Sequence, residues 1–230
     1  MFVFSEDMDF QLLQKDTNFN IDEYLKGIEQ ELGAYELKVT AAKTHKSIET
    51  PIESAFIKCN TLAVLLSINT ISNPLTGTHR NELLKIKLEI DTDPPVFPGN
   101  SEVLFLTTPI PFSYRILTLE SLFSGKLHAL LCREYTSGRV KGRDYYDFIW
   151  FMGRGVSPDL LYLEAKLKQS GKIEPHEILT LSSLKELLNN RFSTIDYSAA
   201  KNDILPFIDD ASKLEVWSKE FFKSLANKLE

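Results

Sequence analysis

Apolar and polar residues alternate with a period of two along much of the first half of the chain. The clearest example runs from residue 84 to residue 91, where four apolar side chains alternate with four charged ones: Leu84, Ile86, Leu88 and Ile90 against Lys85, Lys87, Glu89 and Asp91. Successive side chains of a strand point to opposite faces of a sheet, so this segment predicts a half-buried strand with one polar face. Shorter strand signals cover 35–42, 52–59, 102–107 and 112–117, and helical spacing predicts a helix over 21–32.

From Thr118 onward the apolar residues follow the helical period instead. Thr118 is a typical N-cap residue, and the stripe that follows it comprises Leu119, Leu122, Phe123, Leu127, Leu130 and Leu131. Further helical patterns cover 144–152, a segment starting at Pro158, 181–188 and 214–229, and we interpret the aromatic residues within 145–151 as core. The change of period predicts an α+β fold in which an N-terminal domain, residues 1–117, is followed by a helical bundle, residues 118–230.

Composition narrows the class of protein. The 230 residues are 43% hydrophobic and 25% charged, typical of a globular chain, and the net charge of −6 argues against a protein that coats nucleic acid over a wide surface. Two cysteines, Cys59 and Cys132, exclude a disulfide framework and a four-cysteine zinc site. No apolar run approaches the ~20 residues that cross a bilayer, and the N-terminus has no secretory signal, so we expect a cytoplasmic protein without a membrane partner.

Acidic residues at strand spacing form the first candidate site. Asp7 and Asp9 follow a short apolar run, and in an extended chain their side chains share one face. Carboxylates completed by substrate phosphates are the ligands that Mg²⁺ selects. Glu89 and Asp91 lie on the polar face of the alternating strand, and a neighbouring strand that carries the Asp pair would bring one of them alongside. A solvated acidic turn and an ordinary solvent-facing strand explain the same residues without a metal.

The most electropositive window of the chain is the second candidate site. Between Lys126 and Arg143 there are five basic residues and one acidic residue, and a triphosphate is a natural partner for such a window. Asp144 and Asp147 share a helix face behind it, where they would either orient a substrate or pair with the basic groups. A substrate site predicts a weakly paired Lys126, whereas a structural network predicts a Lys126 already bonded to a carboxylate.

Four segments in order, FSEDMDF, IKLEIDTDPP, SGKLHALL and KGRDYYDF, resemble the bacterial abortive-infection nucleotidyltransferases, the AbiEii-type toxins. The resemblance covers most of residues 1–150. It implies a polymerase-β-like nucleotidyltransferase fold, a mixed sheet with flanking helices, ahead of a helical C-terminal region. It also implies the toxin half of a toxin–antitoxin pair that transfers nucleotides from an NTP to an acceptor.

The resemblance also implies roles by position. Asp7 and Asp9 would be the metal-binding pair, joined by Glu89 or Asp91 as catalytic carboxylates, with Glu89 as a third metal ligand. The residues implied in nucleotide binding are Ser5, Lys87, Lys126, Arg143, Asp144 and Asp147. One feature departs from the family pattern. The family carries a Gly-Gly-Ser/Thr turn ahead of the Asp pair, whereas only six residues precede Asp7, so we expect this segment to be missing; the departure bears on activity rather than on fold.

The resulting hypothesis is a nucleotidyltransferase that uses Mg²⁺ or Mn²⁺ and moves a nucleoside monophosphate from an NTP to a hydroxyl of an RNA or protein acceptor. Lys126 and Arg143 would neutralise the β- and γ-phosphates, and a cognate antitoxin would be a protein partner. Two alternatives remain open. One is a non-catalytic copy of the fold that binds a nucleotide or a protein, and the other is a metal-dependent nuclease that uses the same carboxylates.

Overall fold

The computed structural model describes residues 7–35, 37–44, 51–60, 83–108, 110–134 and 140–230. Ser5 lies outside these ranges, as does Arg139, one of the five basic residues between Lys126 and Arg143. The chain divides into two compact units, the first ending at Pro94 and the second beginning at Pro95. Together they confirm the α+β fold, with a mixed sheet in the first unit and helices in the second.

The described residues of the first unit form one helix and four strands. Its elements are β1 (Asp7–Gln11), α1 (Asp22–Ala34), β2 (Val39–Lys43), β3 (Ile52–Asn60) and β4 (Leu83–Asp91). The strand order is β1-β4-β3-β2, with β1 parallel to β4 and the other pairs antiparallel. The strand pair predicted from 35–42 and 52–59 is therefore present as β2 and β3, and the sheet is mixed.

One face of this sheet is apolar and packs with α1. Ile21 and Leu25 join Ala55, Ile57 and Leu88 in one buried cluster. Leu88 is 5% exposed, whereas its sequence neighbours Lys87 and Glu89 belong to the opposite face. The period-two pattern of residues 84–91 is thereby confirmed as one buried and one polar face, and burial of the apolar side fixes the register of β4.

The second unit combines a hairpin with a helical bundle. The hairpin pairs β5 (Ser101–Leu106) with β6 (Phe112–Leu117) in antiparallel fashion. Among the described residues after 117, every regular element is helical. The helices are α2 (Leu119–Cys132), α3 (Gly142–Gly153), α4 (Leu160–Gln169), α5 (Leu181–Ser193), α6 (Tyr197–Ile204) and α7 (Lys219–Asn227), with 3-10 turns at Leu205–Phe207 and Ala211–Leu214.

The hairpin belongs with the helices rather than with the first sheet. Thr118 caps α2 by accepting the Ser121 N–H, as the sequence predicts, and its own N–H donates to the Asn100 carbonyl at 2.9 Å. The Ser121 hydroxyl and the Asn100 amide both donate to the Asp159 carboxylate at 3.0 Å. This network ties the start of β5 to α2 and to the start of α4. The change of sequence pattern at residue 118 therefore marks the start of a helix, while the compact unit begins at Pro95.

Helix starts and ends in the second unit differ in detail from the sequence pattern. Pro158 was expected to open a helix, but α4 begins at Leu160 because the Asp159 side chain caps it through the Tyr162 N–H. The apolar pattern that begins at Leu214 belongs first to a 3-10 turn, and α7 starts at Lys219 behind a Ser218 cap.

Aromatic rings form the centre of the helical core. Tyr145, Phe148, Phe192 and Phe222 are each at most 1% exposed, and the rings of Phe148 and Phe192 lie 5.2 Å apart. The interpretation of the aromatic residues of α3 as core is confirmed for Tyr145, Phe148 and Phe151. Within the part of the chain that the structure describes, no helix is long and apolar enough to cross a membrane.

Gly142 lies at a close approach between α3 and α6. A Cβ at this position would lie 2.0 Å from the Ala200 carbonyl oxygen, so Gly142→Ala should force the two helices apart. We expect a loss of about 2 kcal/mol or more in the free energy of unfolding, measured by urea denaturation. Gly125→Ala is the matched control, because it also lies within a helix but has no neighbour within 4 Å; it should stabilise the protein slightly. Equal stability of the two variants would contradict the close packing.

Candidate functional site

The parallel pairing of β1 with β4 brings the first group of predicted residues together. Asp7 is the register partner of Lys87, and Asp9 is the partner of Glu89. Neighbouring strands lie ~4.8 Å apart and partners share a face, so these four side chains lie on the polar face of the sheet. Asp7 and Asp9 are exposed. The strand pattern therefore places both aspartates beside the polar residues of β4, on the face opposite α1.

Glu89 is held in place by two neighbours on this polar face. Its Oε1 lies 2.7 Å from the Lys87 ammonium and accepts a hydrogen bond from the Ser54 hydroxyl at 3.3 Å. Ser54 is 2% exposed and is the register partner of Glu89 on β3. Sequence reasoning missed Ser54; the only signal was its place on a strand that could pair with β4.

Asp91 takes a different local role from Glu89. Its Oδ1 accepts the N–H of Asp93 at 3.0 Å, which closes the turn after β4. Its register partner on β1 is Gln11, two residues beyond the Asp pair. Of the two carboxylates that the sequence offered as a third member of the site, Glu89 is the one that lies in register with Asp9.

The carboxylate set suits a hard cation chemically. Mg²⁺ prefers carboxylate oxygens and commonly uses one or two of them, with substrate phosphates completing its coordination. Asp7 and Asp9, with Glu89 beside them, supply such donors. Over the described ranges no three or more His, Cys, Asp or Glu side chains are gathered as a ready metal cluster. Asp7, Asp9 and Glu89 therefore share one face of the sheet without forming a three-carboxylate cluster.

The second group of predicted residues forms two ion pairs between α2 and α3. The Lys126 ammonium lies 2.8 Å from Asp147 Oδ2, and the Arg133 guanidinium donates to Asp144 Oδ2. Arg191 on α5 donates to the Arg133 carbonyl at 2.6 Å. Lys126 is thus bonded to a carboxylate, the arrangement expected of a structural network.

Exposure differs sharply between the partners of each pair. Asp144 and Asp147 are 8% and 4% exposed, whereas the side chains of Lys126 and Arg133 are 42% and 34% exposed. Burial raises the pKa of Asp144, while the charges of Arg133, Lys126 and Lys141 act in the opposite sense. Buried carboxylates of α3 therefore pair with the half-exposed cations Lys126 and Arg133.

Arg143 occupies a separate environment at the start of α3. Its guanidinium carbon lies 5.3 Å from the ring centroid of Phe207, in a cation–π arrangement. The neighbouring Gly142 N–H donates to Asp203 at 3.0 Å. Arg143 thus contacts the segment that follows α6.

The described residues define an α+β protein with an acidic pair on one strand of its sheet and basic residues paired with buried carboxylates in its helical unit. Comparison with known families agrees. The family described as nucleotidyl transferase AbiEii toxin, type IV toxin–antitoxin system, matches residues 1–227, and the chain belongs to that family. Searches of curated proteins and of solved structures gave no significant match.

His128, two residues after Lys126 on α2, is a partly buried group whose pKa is shifted in the folded protein. Its Nε2 lies 3.1 Å from the Ser170 hydroxyl at the end of α4. Burial, reinforced by the nearby Lys166 charge, lowers the pKa of His128 to about 4. The folded state therefore holds it neutral, while the unfolded chain takes up a proton below its ordinary pKa.

Stability should accordingly fall as the pH drops from above 6.5 toward 4, because the unfolded state binds the extra proton. Between pH 7 and pH 5 we expect His128 to account for up to about 2 kcal/mol of this loss. His128→Gln should flatten the pH dependence of urea denaturation in this interval, and the exposed His176→Gln should leave it unchanged. Parallel curves for wild type and His128→Gln would show that His128 is not the titrating group.

Proposed function

We propose that the chain transfers a nucleoside monophosphate from an NTP to a hydroxyl group of an RNA or protein acceptor. The acceptor oxygen forms a bond to the α-phosphorus, the bond from that phosphorus to the oxygen bridging the β-phosphate breaks, and pyrophosphate leaves. Membership of the nucleotidyltransferase toxin family supports this reaction class. The observation that carries the assignment of residues is the register that sets Asp9 beside Glu89 on the polar face of the sheet.

The carboxylates of the first unit would carry the chemistry of transfer. Asp7 and Asp9, with Glu89 alongside, would hold Mg²⁺ or Mn²⁺ through their oxygens. Such a metal, when bound, polarises the α-phosphate and stabilises the leaving pyrophosphate. Glu89, or Asp91, would take the proton of the acceptor hydroxyl. Lys87 and Ser54 hold Glu89 Oε1 in place on the polar face of the sheet.

For the second unit, considered by itself, we propose phosphate binding by two cations. Lys126 is the proposed phosphate ligand, and the buried Asp147 orients its ammonium from behind. Arg143 is proposed as a second phosphate ligand, as the sequence suggests. Asp144 supports the same surface through its pair with Arg133.

The family description also suggests the biological setting. A toxin of a type IV toxin–antitoxin system has a cognate antitoxin, which we propose as the regulatory partner of this chain. We further propose that the protein acts in the cytoplasm, where NTPs and RNA acceptors are available, in the manner of an abortive-infection defence.

The test of this function is transfer of label from α-³²P-NTP to cell-extract RNA or protein in the presence of Mg²⁺. Wild type should label one acceptor class, and Asp9→Asn should reduce the rate by about 10²-fold or more, since it removes a metal-binding oxygen. Glu102→Gln, an exposed acidic position on β5, is the matched control and should retain activity. Activity that persists in Asp9→Asn would contradict the assignment of the acid pair.

A non-catalytic role is the second candidate, and one observation favours it. Lys87 and Lys126 are both already engaged, at 2.7 Å and 2.8 Å from carboxylates, as expected if these charges only stabilise the fold. In that case the chain would bind an NTP in calorimetry without releasing pyrophosphate. Shortening of a labelled RNA, instead of label transfer, would identify a nuclease.

A further inference from the structure

We propose that His128 and Cys132 on α2, together with the Ser170 hydroxyl, form a binding site for a borderline-soft divalent cation, with Zn²⁺ as the best fit. The three side chains meet where the end of α2 contacts the end of α4. None of them belongs to the residues assigned above to nucleotide transfer, so the site is independent of the proposed function. Their convergence on one small space carries the inference.

Helical spacing puts the two strongest ligands on one face of α2. His128 and Cys132 are four residues apart, and side chains at i and i+4 are neighbours on the surface of a helix. Imidazole nitrogen and thiolate sulfur are ligands that Zn²⁺ prefers in proteins. Both side chains are half-buried, so a cation from solvent can reach them while the rest of each side chain is held by its neighbours.

Ser170 shows that both ligand atoms point into the same space. Its Oγ lies 3.1 Å from His128 Nε2 and 3.4 Å from Cys132 Sγ. The same oxygen lies 3.0 Å from the Lys166 carbonyl and 3.1 Å from the Leu167 carbonyl. A hydroxyl has a single hydrogen, and here it is donated to a carbonyl of α4. The lone pairs of Oγ are then left to accept the protons of the imidazole and the thiol.

A metal ion can take the place of these two protons. Cys132 gives up its S–H proton to the buffer, and the neutral imidazole of His128 carries its one proton on Nδ1 instead of Nε2. The sulfur, the nitrogen and the Ser170 oxygen then face the cation, and water supplies the fourth ligand of a tetrahedron. Zn–S and Zn–N distances of about 2.3 Å and 2.0 Å require the two side chains to close toward each other by rotation about their side-chain bonds.

Local charge agrees with a cation bound through nitrogen and sulfur. His128 is neutral in the folded protein at neutral pH, so a cation does not have to displace a proton from an imidazolium. The Lys166 ammonium, which acts on His128, opposes a divalent cation, and the thiolate charge of Cys132 offsets it. Mg²⁺ prefers oxygen ligands, whereas this pair offers nitrogen and sulfur. The site therefore selects a different metal from the one proposed for the carboxylates of the first unit.

The experiment is titration of the metal-free, full-length chain with Co²⁺, a spectroscopic substitute for Zn²⁺, in the presence of a reductant that is not a thiol. Thiolate ligation produces a sulfur-to-cobalt charge-transfer band in the near ultraviolet. Carboxylate ligands cannot produce this band, so binding of Co²⁺ to Asp7 or Asp9 does not contribute to the signal. Wild type should develop the band as Co²⁺ is added, and an excess of Zn²⁺ should remove it by displacement.

Matched variants identify the ligands. Cys132→Ser should abolish the band, whereas Cys59→Ser, which removes the other cysteine of the chain, should retain it. His128→Gln should weaken Co²⁺ binding at least about tenfold, since even the outer-shell partners of metal ligands contribute about that much. His176→Gln, at an exposed histidine, should bind Co²⁺ as wild type does.

A second readout does not depend on the cobalt spectrum. Zn²⁺ should raise the thermal unfolding midpoint of wild type more than that of the double variant His128→Gln/Cys132→Ser, because a ligand that binds the folded state stabilises it. Equal shifts in the two proteins would overturn the proposal. So would a wild type without the charge-transfer band, a band that survives in Cys132→Ser, or wild-type affinity in a His128→Gln variant with a native circular dichroism spectrum.

Discussion

Burial of two carboxylates on α3 is the constraint on which the geometry of the second unit depends. An ionised carboxylate that is nearly excluded from water must have a charged or hydrogen-bonding partner. Asp147 pairs with Lys126, and Asp144 pairs with Arg133. The position of α2 must allow both ion pairs to form together. The Gly142 contact with Ala200 then sets α6 against the other side of α3. These ion pairs thus help to fix the packing of α2 and α3.

The first unit meets a comparable constraint through strand register. Apolar residues of β4 must face α1, and this leaves Lys87, Glu89 and Asp91 on the opposite face. A slip of one residue in the pairing of β1 with β4 would move Asp7 and Asp9 to the face on which Leu88 lies. Asp9 lies beside Glu89 because of the observed register.

Much of the fold was predictable because its pattern is strong. Leu84 to Asp91 alternates without a break, and Thr118 is followed by an uninterrupted helical stripe, so the strand and the helix could be read directly. The sequence does not predict that the β5–β6 hairpin belongs to the second unit. That placement depends on hydrogen bonds from Asn100 and Ser121 to Asp159, which is distant in sequence. The preference of proline for the first helical position predicts a helix that starts at Pro158. The helix starts at Leu160 instead, because the Asp159 side chain caps it.

The candidate site was predictable in its residue types and less so in its pairings. Acid pairs and a basic window are visible as composition, but whether Lys126 bonds to Asp147, or Arg133 to Asp144, depends on the rotation of two helices about their axes. Ser54 is a similar case, because nothing in the sequence indicates that this serine on a predicted strand contacts Glu89.

The parallel partnership of β1 and β4 has a consequence for synthesis. Asp9 is the register partner of Glu89, so β1 can join the sheet only after β4 has been synthesised. Contacts between such distant positions form late in folding, after the intervening loop has been closed. Because translation proceeds from the N-terminus at roughly 5–20 residues per second, the ribosome must have released residues beyond Asp91 before the two carboxylates can become neighbours. A nascent chain whose synthesis stops before Glu89 would contain Asp7 and Asp9 but not Glu89. It would therefore lack one of the carboxylates to which we assign its chemistry.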